Sequence, residues 1–103
     1  MREQGQIGII TGAASGIGRA LALELGRRGV TLVVSDIDGA GAEQVAAAIN
    51  AMRPDSARAV TLDVTDAEAV AALVRDTVAQ HGRLDLMFNN AGISCAMFDR
   101  FLD

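Results

Sequence analysis

Short apolar runs alternate along the chain with longer stretches in which apolar residues return every three or four positions. Residues 7–11 (Ile-Gly-Ile-Ile-Thr) are a continuous run of strand length and predict a buried strand. A glycine-rich turn follows at residues 12–18. Ile17, Leu21 and Leu25 then recur at helical spacing, with Gly29 as the expected stop. Residues 31–35 (Thr-Leu-Val-Val-Ser) predict a second buried strand of high β propensity. A second helix is expected from about Ala40 to Met52, with Val45, Ile49 and Met52 on one face and Pro54 as its terminator. Residues 57–62 predict a third strand, closed by Asp63. Thr65 with Glu68 three residues on resembles a capping box. The helix it would open carries Val70, Leu73, Val74 and Val78 on one stripe and stops at Gly82. Residues 84–88 predict a fourth strand leading into Asn89-Asn90-Ala91-Gly92, and residues 97–103 suit the start of another helix.

The order is β-α-β-α-β-α-β with short connections. Such alternation implies parallel strands and right-handed crossovers. Continuous apolar strands fit a sheet covered by helices on both faces. The expectation is one α/β domain over residues 1–103 with a doubly wound parallel sheet in the order 3-2-1-4. Such a sheet normally continues past its fourth strand, beyond the switch point. An incomplete sheet ending there has an apolar edge, which predicts self-association or aggregation through the fourth strand.

Composition narrows the chemistry. The 103 residues include one cysteine and one histidine, and no tyrosine or tryptophan. The nine basic residues are all arginine, so there is no lysine. A tyrosine general acid, a Schiff-base lysine and a Walker lysine are therefore excluded within this chain. The formal charge of −4 argues against a nucleic-acid partner and against an anionic membrane surface. No apolar run reaches the length of a membrane span, and residues 1–6 lack a signal peptide's apolar stretch. A lone Cys95 asks for no oxidising compartment, so a cytoplasmic protein is expected. His81, at a helix end, has no second ligand at metal spacing, so no metal site is expected. Cys95 has no base partner and reads as an inert thiol.

Thr11-Gly12-Ala13-Ala14-Ser15-Gly16-Ile17-Gly18 joins the first strand to the first helix. Gly12 lets the chain turn sharply. Gly16 lacks a Cβ, so a pyrophosphate can approach the backbone. Gly18 permits close helix–strand packing. The helix start offers free N–H groups and a positive dipole end to an anion, and Ser15 can add a hydroxyl. Asp36 lies 18 residues after Gly18, at the end of the second strand. A carboxylate there suits both ribose hydroxyls of an adenosine and repels a 2′-phosphate. Neither residue 35 nor 37 is basic, so the pattern favours NAD over NADP. These features make the expected fold Rossmann-type. The plain alternatives are a ligand-free turn and a solvated strand-end acid.

With these motifs in order, the sequence resembles the short-chain dehydrogenase/reductase family. Thr-Gly-x-x-x-Gly-x-Gly, an acid–apolar pair after the third strand (Asp63-Val64) and Asn-Asn-Ala-Gly after the fourth carry the resemblance, from about residue 5 to 95. It implies that Gly12, Ser15, Ile17 and Gly18 hold the pyrophosphate and Asp36 the adenine ribose. Asp63 would accept from the adenine amino group, with Val64 beside the ring. Asn90, Ala91 and Gly92 would line the path to the nicotinamide ribose. For Asn89 and Asn90 the alternative is that they tie strand ends together.

The resemblance also implies an oxidoreductase that moves a hydride between NAD and an alcohol or ketone. Its catalytic serine, tyrosine and lysine are not in this chain, so no catalytic residue is assigned and the chain alone is expected to be inactive. It reads as the N-terminal cofactor-binding portion of such an enzyme. The alternatives are a stand-alone NAD-binding or sensing module and a non-functional fragment.

Overall fold

A computed structural model describes residues 5–90. The elements are β1 (Ile7–Thr11), α1 (Gly16–Arg27), β2 (Thr31–Asp36), α2 (Gly39–Met52), β3 (Ala57–Thr61), α3 (Ala67–His81) and β4 (Leu86–Asn89). The strands form one sheet, parallel as the alternation predicts and in the order β3-β2-β1-β4 expected of the Rossmann-type reading.

Each face of the sheet has its own core. Ile10, Leu32 and Val34 point to one face and pack with Ala22 of α1 and with Val45, Ala46 and Ile49 of α2. Ile9, Val33 and Met87 point to the other face and pack with Leu73 of α3. Alternate residues of each central strand thus serve opposite cores, which is why these strands read as unbroken apolar runs.

The helix faces match the apolar spacing at Leu21, Leu25, Val45, Ile49, Val70, Leu73 and Val74, which are buried in or packed against the two cores, and depart from it at Ile17, Met52 and Val78. In α1 the buried residues are Gly18, Ala22 and Gly26, while Ile17 is 70% exposed. Small residues bring α1 close to its neighbours: a Cβ on Gly26 would stand 2.8 Å from Ile49 Cγ2. In α2 the buried stripe is Ala42, Val45, Ala46 and Ile49, while Met52, the last residue of the helix, is exposed. The Arg53 side chain closes that end by donating to the Val30 carbonyl at 2.7 Å. In α3 the stripe passes through Leu73 to Thr77, whose hydroxyl donates to the Leu73 carbonyl at 2.7 Å, and Val78 is exposed.

The expected capping box is also replaced. Asp66 is the N-cap of α3 and accepts from the Ala69 N–H at 3.1 Å. Thr65 instead donates its hydroxyl to Asp63 at 2.7 Å, a charged acceptor two residues back. Gly82 ends α3 in the left-handed conformation, as expected. Asp85 precedes β4, which starts at Leu86, later than its apolar run suggests; the Asp85 N–H donates to the Ile7 carbonyl at 2.8 Å. Asp85 Oδ2 accepts from the Ile7 N–H at 2.7 Å.

Candidate functional site

The candidate site lies where β1, β2, β3 and β4 end. Thr11, fully buried, is its hub. Its hydroxyl donates to Asn89 Oδ1 at 2.8 Å and accepts from the Asn90 N–H at 3.1 Å. Asn90 Nδ2 donates to the Gly12 carbonyl at 3.3 Å. Asn89 and Asn90 therefore tie β4 to the end of β1.

Gly12 has φ +64, a left-handed turn that glycine adopts without strain. A Cβ there would lie 2.9 Å from Asn90 Cβ. From the β2 side, the Ala13 N–H donates to the Ser35 carbonyl and the Ala14 N–H to Asp36 Oδ2, both at 2.9 Å. The turn is thus pinned by β4 on one side and β2 on the other.

Beyond the pins the turn is open. Ser15, the exposed N-cap of α1, makes no side-chain capping bond, and the first turn of α1 carries no acid. Gly16 has φ +58, and a Cβ built on it would meet nothing within 4 Å. Gly18 is the opposite case, because a Cβ there would run into the Gly12 carbonyl oxygen. The two glycines serve different ends: one leaves space in front of the turn, and the other closes the packing behind it.

Asp36 is half-buried. Its Oδ1 accepts from the Asp38 N–H at 2.9 Å while Oδ2 holds Ala14. Each carboxylate oxygen retains further acceptor capacity. A cleft of ≈ 170 Å³ adjoins it, lined by Gly12, Asp36, Ile37, Leu62, Asp63 and Val64. Asp63 is exposed on its rim. The Thr65 hydroxyl and N–H, both on Oδ1, hold its carboxyl below the usual aspartate value.

The structure thus brings together Gly12, Ser15, Gly16, Ile17, Gly18, Asp36, Asp63, Val64 and Asn90 at one end of the sheet. Ala91, Gly92 and Cys95 lie outside the described residues. Sequence reading missed Thr11 as the hub; a hydroxyl ending one strand, with paired asparagines ending another, was the available signal. It also missed Ile37, which is 71% exposed at the cleft. His81 lines a separate cleft with Asp55, Arg58 and Gln80, among others. Among the described residues no group of three or more His, Cys, Asp or Glu is placed to hold a metal ion. Nor is any of their helices long and apolar enough to cross a membrane.

A parallel 3-2-1-4 sheet with helices on both faces, and a glycine turn opening α1 beside strand-end acids, defines a Rossmann-type fold. The chain belongs to the short chain dehydrogenase family, whose model matches residues 6–103. It is 50% identical over 94 residues to the probable oxidoreductase EphD of Mycobacterium tuberculosis, covering 91% of this chain and 15% of that protein. It is 46% identical over 91 residues to momilactone A synthase of Oryza sativa subsp. japonica, covering 87% of this chain and 32% of that protein. A crystal structure of a short chain dehydrogenase/reductase from Burkholderia phymatum in complex with NAD superposes with a TM-score of 0.82 at 32% identity. That match covers 90% of this chain and 33% of the other. The chain therefore spans about a third or less of the length of these proteins.

Proposed function

We propose that the chain forms the adenosine and pyrophosphate half of a nicotinamide-dinucleotide site, selective for NAD over NADP, in an alcohol- or ketone-converting oxidoreductase. The carrying observation is the turn itself: open in front of Gly16, with Ser15 uncommitted and the start of α1 free of acids. Gly12, Ser15, Gly16, Ile17 and Gly18 hold the pyrophosphate against the N–H groups of that helix. Asp36 accepts from the ribose hydroxyls with the lone pairs that Ala14 and Asp38 leave free. Asp63 and Val64 flank the adenine in the cleft beside Ile37. Asn90, Ala91 and Gly92 extend toward the nicotinamide ribose, and Asn90 also braces the turn.

When bound, the nicotinamide supplies the hydride acceptor or donor. This chain has neither tyrosine nor lysine to manage the accompanying proton. Its part is to bind and orient the cofactor, and turnover by the 103 residues alone is not expected. We place it in the cytoplasm. We also expect self-association, since β4 pairs only with β1 among the described residues.

Calorimetric titration of the purified chain with NAD, ADP-ribose and NADP tests the reading. Comparable affinity for NAD and ADP-ribose is expected, with NADP weaker by about tenfold or more from charge repulsion near the surface. A sample that melts cooperatively yet gives no heat with any of the three would overturn it.

A further inference from the structure

The cleft beside His81 has a volume of ≈ 220 Å³ and lies at the other end of the sheet, where β2 and β3 begin. Thr31, Asp55, Arg58, Gln80 and His81 line it, among others. It is roomier than the ≈ 170 Å³ beside Asp36, yet smaller than the ~300 Å³ at which pockets begin to take drug-sized ligands. Its size suits a small metabolite. Two features of its wall depart from what a packed fold needs. Val60 and Leu62 belong to the core under α3, with Val33. Arg58 pairs with Val33 and precedes Val60 by two positions, so it stands on the same face of the sheet. An apolar residue there would extend that core, but the position holds an exposed guanidinium. Asp55 is the one non-glycine residue at positive φ among those described, at +58, a conformation that costs energy for an L-residue. Asp85, at the same end of the sheet, is tied to Ile7 and Arg83. In contrast, among the described residues the side chains of Asp55, Arg58, Gln80 and His81 make no ion pair or hydrogen bond, with each other or elsewhere. Opposite charges three positions apart thus share one small cleft and leave each other unpaired.

We propose that this cleft is a second binding site, for a small zwitterion of the α-amino acid class. The ligand's carboxylate sits on the Arg58 guanidinium, whose planar fork matches two oxygens. Its ammonium sits on the Asp55 carboxylate. Gln80 and His81 add hydrogen-bonding groups at the end of α3, where the negative end of the helix dipole also favours the ammonium. A plain anion would be repelled by Asp55 and that dipole end, and a plain cation by Arg58. A ligand that carries both charges satisfies both walls. The cleft lies away from the strand ends that carry Gly12 and Asp36, so the inference does not rest on the dinucleotide reading.

The 103-residue chain is titrated with alanine, lactate and propionate, acids of one carbon skeleton that differ at the α position, and followed by heteronuclear NMR. Alanine should move the amide signals of residues 55–58 and 80–81. It should bind about fivefold tighter than propionate, the upper range for one exposed ion pair, with lactate between them. Asp55→Asn keeps a residue type that tolerates this φ and should remove the advantage of alanine over propionate. Arg58→Gln should weaken alanine and propionate alike. Thermal melting checks that both variants fold. Equal binding of alanine and propionate by the unsubstituted chain would make this a plain anion site and overturn the zwitterion. Signals that stay still, or that move alike in the parent and both folded variants, would overturn the site itself.

Discussion

The two ends of the sheet use polar side chains in different ways. At the N-terminal ends of the strands, side chains complete the backbone pairing. Asn50 Oδ1 accepts from the Ser56 and Ala57 N–H groups at 2.8 and 2.9 Å, and its Nδ2 donates to the Ala57 carbonyl at 2.9 Å. Asp85 holds the Ile7 N–H and pairs with Arg83. Arg53 Nε is the one buried side-chain nitrogen or oxygen without a partner among the described residues. At the C-terminal ends, Thr11, Asp36 and Asn90 also bond to backbone, but around a turn whose front is open. Satisfied polar groups at one end stabilise the fold. At the other end they hold open groups in position, and binding depends on what stays uncommitted.

Substitutions at the two ends should therefore separate stability from binding. The largest effect is expected for Gly18→Ala, whose Cβ would strike the Gly12 carbonyl. Forced overpacking against backbone should cost about 3 kcal/mol and abolish dinucleotide binding. Gly16→Ala tests the other half of the contrast, since its Cβ meets nothing but sits on a left-handed residue. It should cost only about 1 kcal/mol and still lose NAD affinity, because the methyl fills the space in front of the turn. Equal loss of stability in the two, by thermal melting, would erase the distinction between the glycines.

Asn50→Ala belongs to the opposite end and should behave in reverse. It leaves two N–H groups and a carbonyl without their partner and should cost about 2 kcal/mol. The NAD affinity of the folded fraction should stay unchanged in calorimetry below the melting transition.

The smallest effect is that of Asp85. Burial works against its charged form, but hydrogen bonds from Arg83 and the Ile7 N–H outweigh burial and hold its carboxyl below the ordinary 3.8. A pKa depressed in the folded state gives stability that is present above the unfolded value and lost as pH falls through the folded one. Denaturant unfolding should therefore show stability falling below about pH 4. Asp85→Asn should cost about 1 kcal/mol at neutral pH and flatten that fall. A variant with the same acid profile as the parent would assign the fall to other carboxyls, such as Glu24, which Arg27 and Arg28 hold near 2.

Strand order and the position of the glycine turn were legible in the sequence because alternating elements with a turn motif leave few topologies. The helix faces were less so. Spacing of large apolar residues put Ile17, Met52 and Val78 inside, yet all three are exposed. The buried face of α1 is glycine and alanine, and close approach rather than apolar bulk selects it. The α3 cap was misread because Thr65 and Asp66 are adjacent candidates, and the Thr65 hydroxyl is taken locally by Asp63, two residues back. Asp36 and Asp63 were legible as strand-end acids. The bonds that Asp36 makes to Ala14 and Asp38 depend on how the turn and α2 meet, which residue types alone do not encode.

The pins on the glycine turn also set an order of events during synthesis. Asp36 reaches Ala14 across only 22 positions, whereas Asn90 reaches Gly12 across 78. A chain leaving the ribosome can close the first contact once β2 has emerged. The second waits for β4, after two further helices and a strand. The turn is therefore born held on one side only, and its second clamp arrives when β4 emerges. Longer closures cost more entropy and form later, so the nascent chain should complete the bracing of the turn only when β4 pairs with β1.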